Sequence, residues 1–320
     1  MTNVLWLQGG ACSGDTMSFL NAEDPTACDL IADFGIKILW HPSLGLEMGT
    51  NLQTLLWECI LGKTPLDILV FEGTVVNAPN GTGEWNRFAD RPMKQWLEDL
   101  AKAANFVVAI GDCATWGGIP AMSPNPSESQ GLQFLKRKKG GFLGEDFISK
   151  AGLPVINIPG CPAHPDWISQ ILVAIATGRI NDIALDELHR PQTFFHTFAE
   201  TGCTRNIHFA YRATTTEFGD RKGCLFYDLG CRGPMTHSSC NRILWNGVSS
   251  KTRAGMPCIG CTEPEFPFHD LKPGTVFKTQ TIMGVPKEIP PGVNPKDYAV
   301  FTVVAKDTAP KWTDEDFFLV

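Results

Sequence analysis

Asn3-Val4-Leu5-Trp6-Leu7-Gln8-Gly9-Gly10-Ala11-Cys12-Ser13-Gly14-Asp15 decides the fold: an apolar strand over residues 3–8 breaks into glycines that carry a cysteine. The strand is apolar almost throughout, as expected where a sheet is covered on both faces. The pattern recurs. Residues 36–41, 67–72, 106–111 and 153–158 read as further strands, and residues 52–61, 93–104 and 166–177 as amphipathic helices. Strands separated by helices imply parallel βαβ units with right-handed crossovers. The spacing therefore predicts a flavodoxin-like doubly wound parallel sheet, an α/β domain over residues 1–180.

The cysteines fall where such a sheet binds ligands. Cys12 follows the first strand, Cys113 the fourth (Gly111-Asp112-Cys113-Ala114) and Cys161 the fifth (Pro159-Gly160-Cys161-Pro162). Ligands of open α/β sheets sit beyond the carboxyl ends of the strands, so these three thiols are expected to share one metal site. Glycines beside each let the backbone approach a bulky inorganic group.

Residues 119–150 are rich in breakers and read as a long excursion outside the core; the run Lys136-Arg137-Lys138-Lys139 suits a solvated face better than a docking patch. After about residue 181 the periodicity fades. Residues 182–320 hold six of the eleven cysteines: Cys203, Cys224, Cys231, Cys240 and the pair Cys258-Ile259-Gly260-Cys261. A C-x-x-C pair signals zinc or iron–sulfur binding. The other thiols stand singly, which suits iron–sulfur ligation. A loop-rich second domain over residues 181–320 would use bound clusters as its cross-links. The Pro-rich final 50 residues, with turn signals at 284–286 and 290–292, are expected to wrap a surface. Cys28 and Cys59 lie in apolar helical surroundings and read as core cysteines. Nine candidate ligands are left, which divide into three threes.

Bulk composition agrees. Of 320 residues 43% are hydrophobic and 19% charged, enough for a sizeable core, and a net charge of −7 argues against nucleic acid as partner. No segment has the roughly 18–20 apolar residues that span a bilayer, and no basic or twin-arginine leader is seen, so the expected location is cytoplasmic, with membrane contact through a partner left open. Eleven thiols in a reducing compartment point to metal or redox chemistry rather than disulfides.

Taken together, residues 6–14, Gly111-Asp112-Cys113-Ala114 with Gly117-Gly118-Ile119-Pro120, Pro159-Gly160-Cys161-Pro162, Leu229-Gly230-Cys231-Arg232-Gly233-Pro234 and Cys258-Ile259-Gly260-Cys261-Thr262-Glu263-Pro264 resemble the small subunit of nickel–iron hydrogenases, over about residues 3 to 270. The lack of an export signal and membrane helix makes the chain most similar to the cytosolic uptake type of cyanobacteria. The resemblance implies an oxidoreductase subunit with no catalytic residue of its own. Hydrogen would be split at a nickel–iron centre on a separate large subunit, and electrons would pass to a downstream acceptor. It further implies three iron–sulfur clusters, 4Fe-4S or 3Fe-4S: a proximal one on Cys12, Cys113 and Cys161, a medial one on Cys240, Cys258 and Cys261, whose three cysteines suit 3Fe-4S, and a distal one on Cys203, Cys224 and Cys231.

Two positions depart from the family. Asp15 stands where a fourth proximal cysteine is usual, and either ligates or caps the helix that follows. Glu200 stands where a distal histidine is usual; His196 and His208 lie nearby but off register. Glu72 ends the third strand near the proximal site, where it would tune the cluster, relay protons or simply be hydrogen-bonded. His41, His164 and His237 read as satisfied polar residues. Two rival readings are a flavin-binding flavodoxin-like protein, with Gly9 to Thr16 cradling a phosphate, and a zinc-stabilised interaction protein.

Overall fold

The computed structural model describes residues 1–267 and the backbone of two short strands, Thr281–Ile282 and Val285–Pro286, which pair antiparallel. The expected wrapping of the Pro-rich tail lies outside the described residues.

The chain forms two compact units, Met1–Phe194 and Phe195–Val320. In the first, β1 (Thr2–Gln8), β2 (Ile36–Trp40), β3 (Ile68–Glu72), β4 (Phe106–Ile110) and β5 (Ile156–Ile158) make one sheet in the order β2-β1-β3-β4-β5. All four pairings are parallel, so the flavodoxin-like order is found. Along a strand successive side chains face opposite ways. Leu5, Leu7, Leu69, Phe71, Val107 and Ala109 pack on one face, against α3 (Gly49–Ile60) and α4 (Met93–Ala103). Both helices follow the period of 3.6: Leu52, Leu56 and Cys59 on the first, Trp96, Leu97, Leu100 and Ala101 on the second, are buried. On the other face Trp6 meets Phe19 of α1 (Gly14–Leu20), with ring centroids 5.1 Å apart, and α1 packs against α6 (Pro165–Ala176). The short helices α2 (Ala27–Ala32) and α5 (Gly111–Trp116) complete the layers.

Register is what builds the site. Gln8 pairs with Glu72, Glu72 with Ile110, and Ile110 with Ile158. The carboxyl ends of four strands thus form one row, and the segments bearing Cys12, Cys113 and Cys161 leave from it.

Three expectations change. The long excursion is not outside the core: Leu132 and Phe134 are fully buried, and Phe134 packs edge-on to Trp116, centroids 5.3 Å apart. The breakers hid this because the segment contributes its core side chains without regular periodicity. Cys28 is exposed, not core, since only Leu30 of α2 is buried; Cys59 is buried as expected. The first unit ends at Phe194 rather than near residue 180, because the loop after α6 returns to the sheet edge: Asn157 N–H donates to the His189 carbonyl at 2.9 Å and Asn157 Nδ2 to the Leu188 carbonyl at 2.8 Å.

Among its described residues the second unit has little regular structure. Its core is Leu225, Phe226, Tyr227 and Leu229 with the thiols of Cys224, Cys231 and Cys258. Sulfur therefore makes up part of the packing that apolar residues would otherwise supply. No helix among the described residues is long and apolar enough to cross a membrane.

Candidate metal centres

The first centre lies on the rim of the sheet. Cys12 is exposed and Cys113 and Cys161 half-buried. Main-chain bonds tie the Cys113 segment to the Cys161 segment, and the Cys12 segment to the loop after β3. Asp112 N–H at the start of α5 donates to the Gly160 carbonyl at 2.8 Å, and Gly10 exchanges two bonds with Thr74 at 2.9 and 3.0 Å. Burial pushes the Cys113 thiol far up, reinforced by the charges of Asp112, Asp15, Cys161 and Cys12, so these groups share one electrostatic neighbourhood. Room beside the sulfurs comes from glycine: a Cβ on Gly118 would lie 2.9 Å from Cys113 Sγ, and one on Gly14 3.1 Å from Cys12 Sγ.

Two carboxyl groups stand behind the thiols. Glu72 is fully buried and accepts from Trp6 Nε1, Asp15 N–H and Thr16 N–H, each at 3.2 Å, and from Thr16 Oγ1 at 2.5 Å. It thereby satisfies the free amides that open α1, a task that Ser13 at the N-cap does not perform. This corrects the capping role considered for Asp15. Asp15 Oδ1 instead accepts from Ala163 N–H at 2.7 Å, while Ser18 Oγ donates to the Ala163 carbonyl at 2.5 Å. Helix α1 so grips the loop that follows Cys161. Burial pushes the Asp15 carboxyl up to about 7, offset in part by the Ala163 N–H and raised further by Glu72. A cation bound there would displace that proton. Glu72 also removes the ground for a flavin: it occupies the amides that a phosphate would need.

The distal trio lines a half-open cavity in the second unit. Cys203, Cys224 and Cys231 share its wall with Glu200 and Arg205. Cys224 Sγ accepts from Phe226 N–H at 3.4 Å, and Cys231 Sγ from Gly233 N–H at 3.5 Å and Cys258 N–H at 3.2 Å. Burial nevertheless pushes both thiols up to about 12. Buried thiols with amides aimed at sulfur suit bound metal, which takes the thiolate outright and adds the missing positive charge. Neither His196 nor His208 lines this cavity, while Glu200 does, with its carboxyl raised by burial alone.

In the medial trio, burial drives the Cys258 thiol far up, and Cys231 and Cys240 add to it. Burial likewise raises Cys240, partly countered by Ser238, whose Oγ lies 3.3 Å from its Sγ. Gly260, with φ +70°, makes the tight turn between Cys258 and Cys261. Among the described residues no three Cys, His, Asp or Glu side chains close round a single ion. A mononuclear zinc site would need sulfurs at about 2.3 Å from one centre.

His41 is buried with Nδ1 accepting from Ser43 N–H at 3.0 Å, and burial pushes its pKa down to about 4. His237 N–H donates to Glu263 Oε1 at 2.7 Å. Neither touches a thiol trio. Sequence reading missed Arg205; its one available signal was a cation two positions after a ligand cysteine.

Fold and thiols together define a doubly wound α/β unit joined to a cysteine-built unit, a redox protein by its donor set. Residues 12–175 match the family model described as NADH ubiquinone oxidoreductase, 20 Kd subunit, and residues 195–272 match that of the C-terminal region of the NiFe/NiFeSe hydrogenase small subunit. The chain is 37% identical over 289 residues to the F420 non-reducing hydrogenase I small subunit of Methanosarcina mazei, covering 83% of this chain and 73% of that one. It is 31% identical over 268 residues to the periplasmic NiFe hydrogenase small subunit of Solidesulfovibrio fructosivorans, covering 82% and 78%. Among solved structures, the actinobacterial-type NiFe-hydrogenase of Ralstonia eutropha H16 superposes with a TM-score of 0.74 at 30% identity, covering 97% of this chain and 92% of that one. The chain belongs to the nickel–iron hydrogenase small-subunit family: it is an electron-transferring oxidoreductase subunit, and the flavin and zinc readings lapse.

Proposed function

We propose that this chain carries electrons away from hydrogen oxidation through three iron–sulfur clusters, held by Cys12, Cys113 and Cys161 with Asp15, by Cys240, Cys258 and Cys261, and by Cys203, Cys224 and Cys231. The observation that carries the reading is the distal cavity, where three thiols converge on one space and amides point at the sulfurs of Cys224 and Cys231. When bound, the clusters supply one-electron carriers. The chain's residues do the rest. Their thiolates fix the iron, N–H groups on sulfur tune it, and the apolar residues Leu225 and Phe226 keep water off. The nickel–iron centre belongs to the large subunit, which is expected to dock over the rim bearing Cys12, Cys113 and Cys161. Hydrogen uptake, cytoplasmic work and an unidentified acceptor form part of the same proposal; the relatives include a periplasmic enzyme, and cell fractionation decides the location.

Iron analysis with electron paramagnetic resonance on the anaerobically purified protein tests the reading. At three or four irons per cluster, about nine to twelve irons per chain are expected. The chain without a large subunit is expected to show no hydrogen oxidation. Stoichiometric zinc with little iron, or turnover by the chain alone, would sink the proposal.

A further inference from the structure

Arg205 is 4% exposed, and nearly all its hydrogen-bonding capacity is spent on main-chain carbonyls. Nε donates to Thr252 O at 2.7 Å, Nη1 to Gly223 O at 2.8 Å and Lys222 O at 3.2 Å, and Nη2 to Asp220 O. None of these partners is an anion. Among the described residues no carboxylate lies within ion-pair distance of the guanidinium. The half-buried Asp220 carboxylate is turned instead to Lys222 N–H at 3.0 Å and Thr215 Oγ1 at 2.8 Å, so that it meets the charge of Arg205 through space and not in contact. A buried guanidinium without an anion is costly, and arginine does not shed its proton. The same cavity is lined by Glu200 and by the thiols of Cys203, Cys224 and Cys231, which turn negative when they bind iron as thiolates. The Glu200 carboxyl, on the same wall, accepts no hydrogen bond from any described residue.

We propose that Arg205 is a positioning residue of the distal cluster: its fixed positive charge raises the reduction potential of the cluster held by Cys203, Cys224 and Cys231, while Glu200, in the same cavity, lowers it. The inference rests on the proposal that these three thiols bind the distal cluster. Each electron taken up adds one negative charge to the cavity. A cation built into a low-dielectric wall stabilises that reduced state, and an anion opposes it. The carbonyls hold the guanidinium in place, so its field stays aimed at the cavity. Opposite signs on one cavity give a test that ordinary damage does not imitate.

The experiment is a redox titration of the assembled, cluster-loaded hydrogenase, followed by electron paramagnetic resonance, on wild type, R205Q, R205K and E200Q. Expected are a lower distal potential in R205Q, a higher one in E200Q, a near-wild-type value in R205K, and no movement of the other two clusters. Shifts of the same sign in R205Q and E200Q, or no shift in either with the cluster present, would overturn the inference. So would a fall in R205K as large as in R205Q, which would make hydrogen bonding and not charge the cause. Should R205Q fail to load its cluster, R205K decides: loading with an unshifted potential supports the charge, and loss or a shifted value refutes it. A wild-type protein without a cluster signal that C231A removes would instead defeat the assignment of the distal site itself.

Discussion

Replacing Glu72 by Leu is expected to cost the first unit about 3–5 kcal/mol and to strip the proximal cluster from whatever protein still folds. The side chain is fully buried and serves four donors at once: the Trp6 indole, two opening amides of α1 and the Thr16 hydroxyl. Leucine fills similar space but accepts nothing, and each orphaned buried donor costs roughly 1–3 kcal/mol. Water entering beside Thr16 would recover part of this, which keeps the total below the simple sum. The damage also has a direction. Glu72 ends β3, and its bonds fix where α1 begins; α1 in turn grips Ala163 through Asp15 and Ser18. Losing the anchor loosens the approach of Cys12 and Cys161 together. Gln at position 72 keeps an oxygen acceptor and should cost markedly less. Thermal unfolding of the loaded protein, with iron content measured beside it, checks the pair. A Leu variant within about 1 kcal/mol of wild type would show that Glu72 is not the cap of α1.

The second large effect concerns Asp15. Asp15→Cys is expected to give four-thiolate ligation, changing the spectrum of the proximal cluster and lowering its potential, because thiolate donates more electron density than carboxylate. Asp15→Ala should open one corner and favour a three-iron cluster, at a further cost of about 1–3 kcal/mol for the buried Ala163 N–H left without its acceptor. Asn at this position separates the two roles. It can still accept from Ala163 but is a far poorer ligand, so a wild-type spectrum in Asp15→Asn would leave Asp15 with positioning alone. Unchanged proximal spectra in both the Cys and Ala variants would rule out ligation. Gly111 gives an independent handle. Its φ is +76°, and an added Cβ would overlap the Asp15 carboxylate. Gly111→Ala should therefore displace that carboxylate and change the same spectrum while leaving every candidate ligand in place.

Much of the architecture was legible in residues 1–180. The strand ends and the three amphipathic helices were readable, though the fifth strand starts at Ile156 and not at residue 153, because burial on a regular element imprints a pattern on the sequence. The sites of Cys12, Cys113 and Cys161 followed, since a parallel sheet offers ligands only at one edge. Leu132 and Phe134 escaped notice because they reach the core from a segment without a period, and Cys28 was misplaced because an apolar neighbourhood in sequence does not say which way a side chain turns.

The sequence by itself determined the alternation of strand and helix, the parallel sheet, the placing of Cys12, Cys113 and Cys161 after its strands and the presence of Asp15 and Glu200. Only the tertiary structure decided that Glu72, far along the chain from α1, caps that helix, so that the Asp15 carboxyl is left to face Ala163 and the thiols. Only the tertiary structure set Arg205 into the cavity of the distal thiols, with main-chain carbonyls from residues 220–223 and 252 as its partners. The reason is physical. Periodicity records which face of an element is buried. The partner of a buried charge or amide is set by segments distant in sequence, and main-chain donors and acceptors leave no residue-type signature to read.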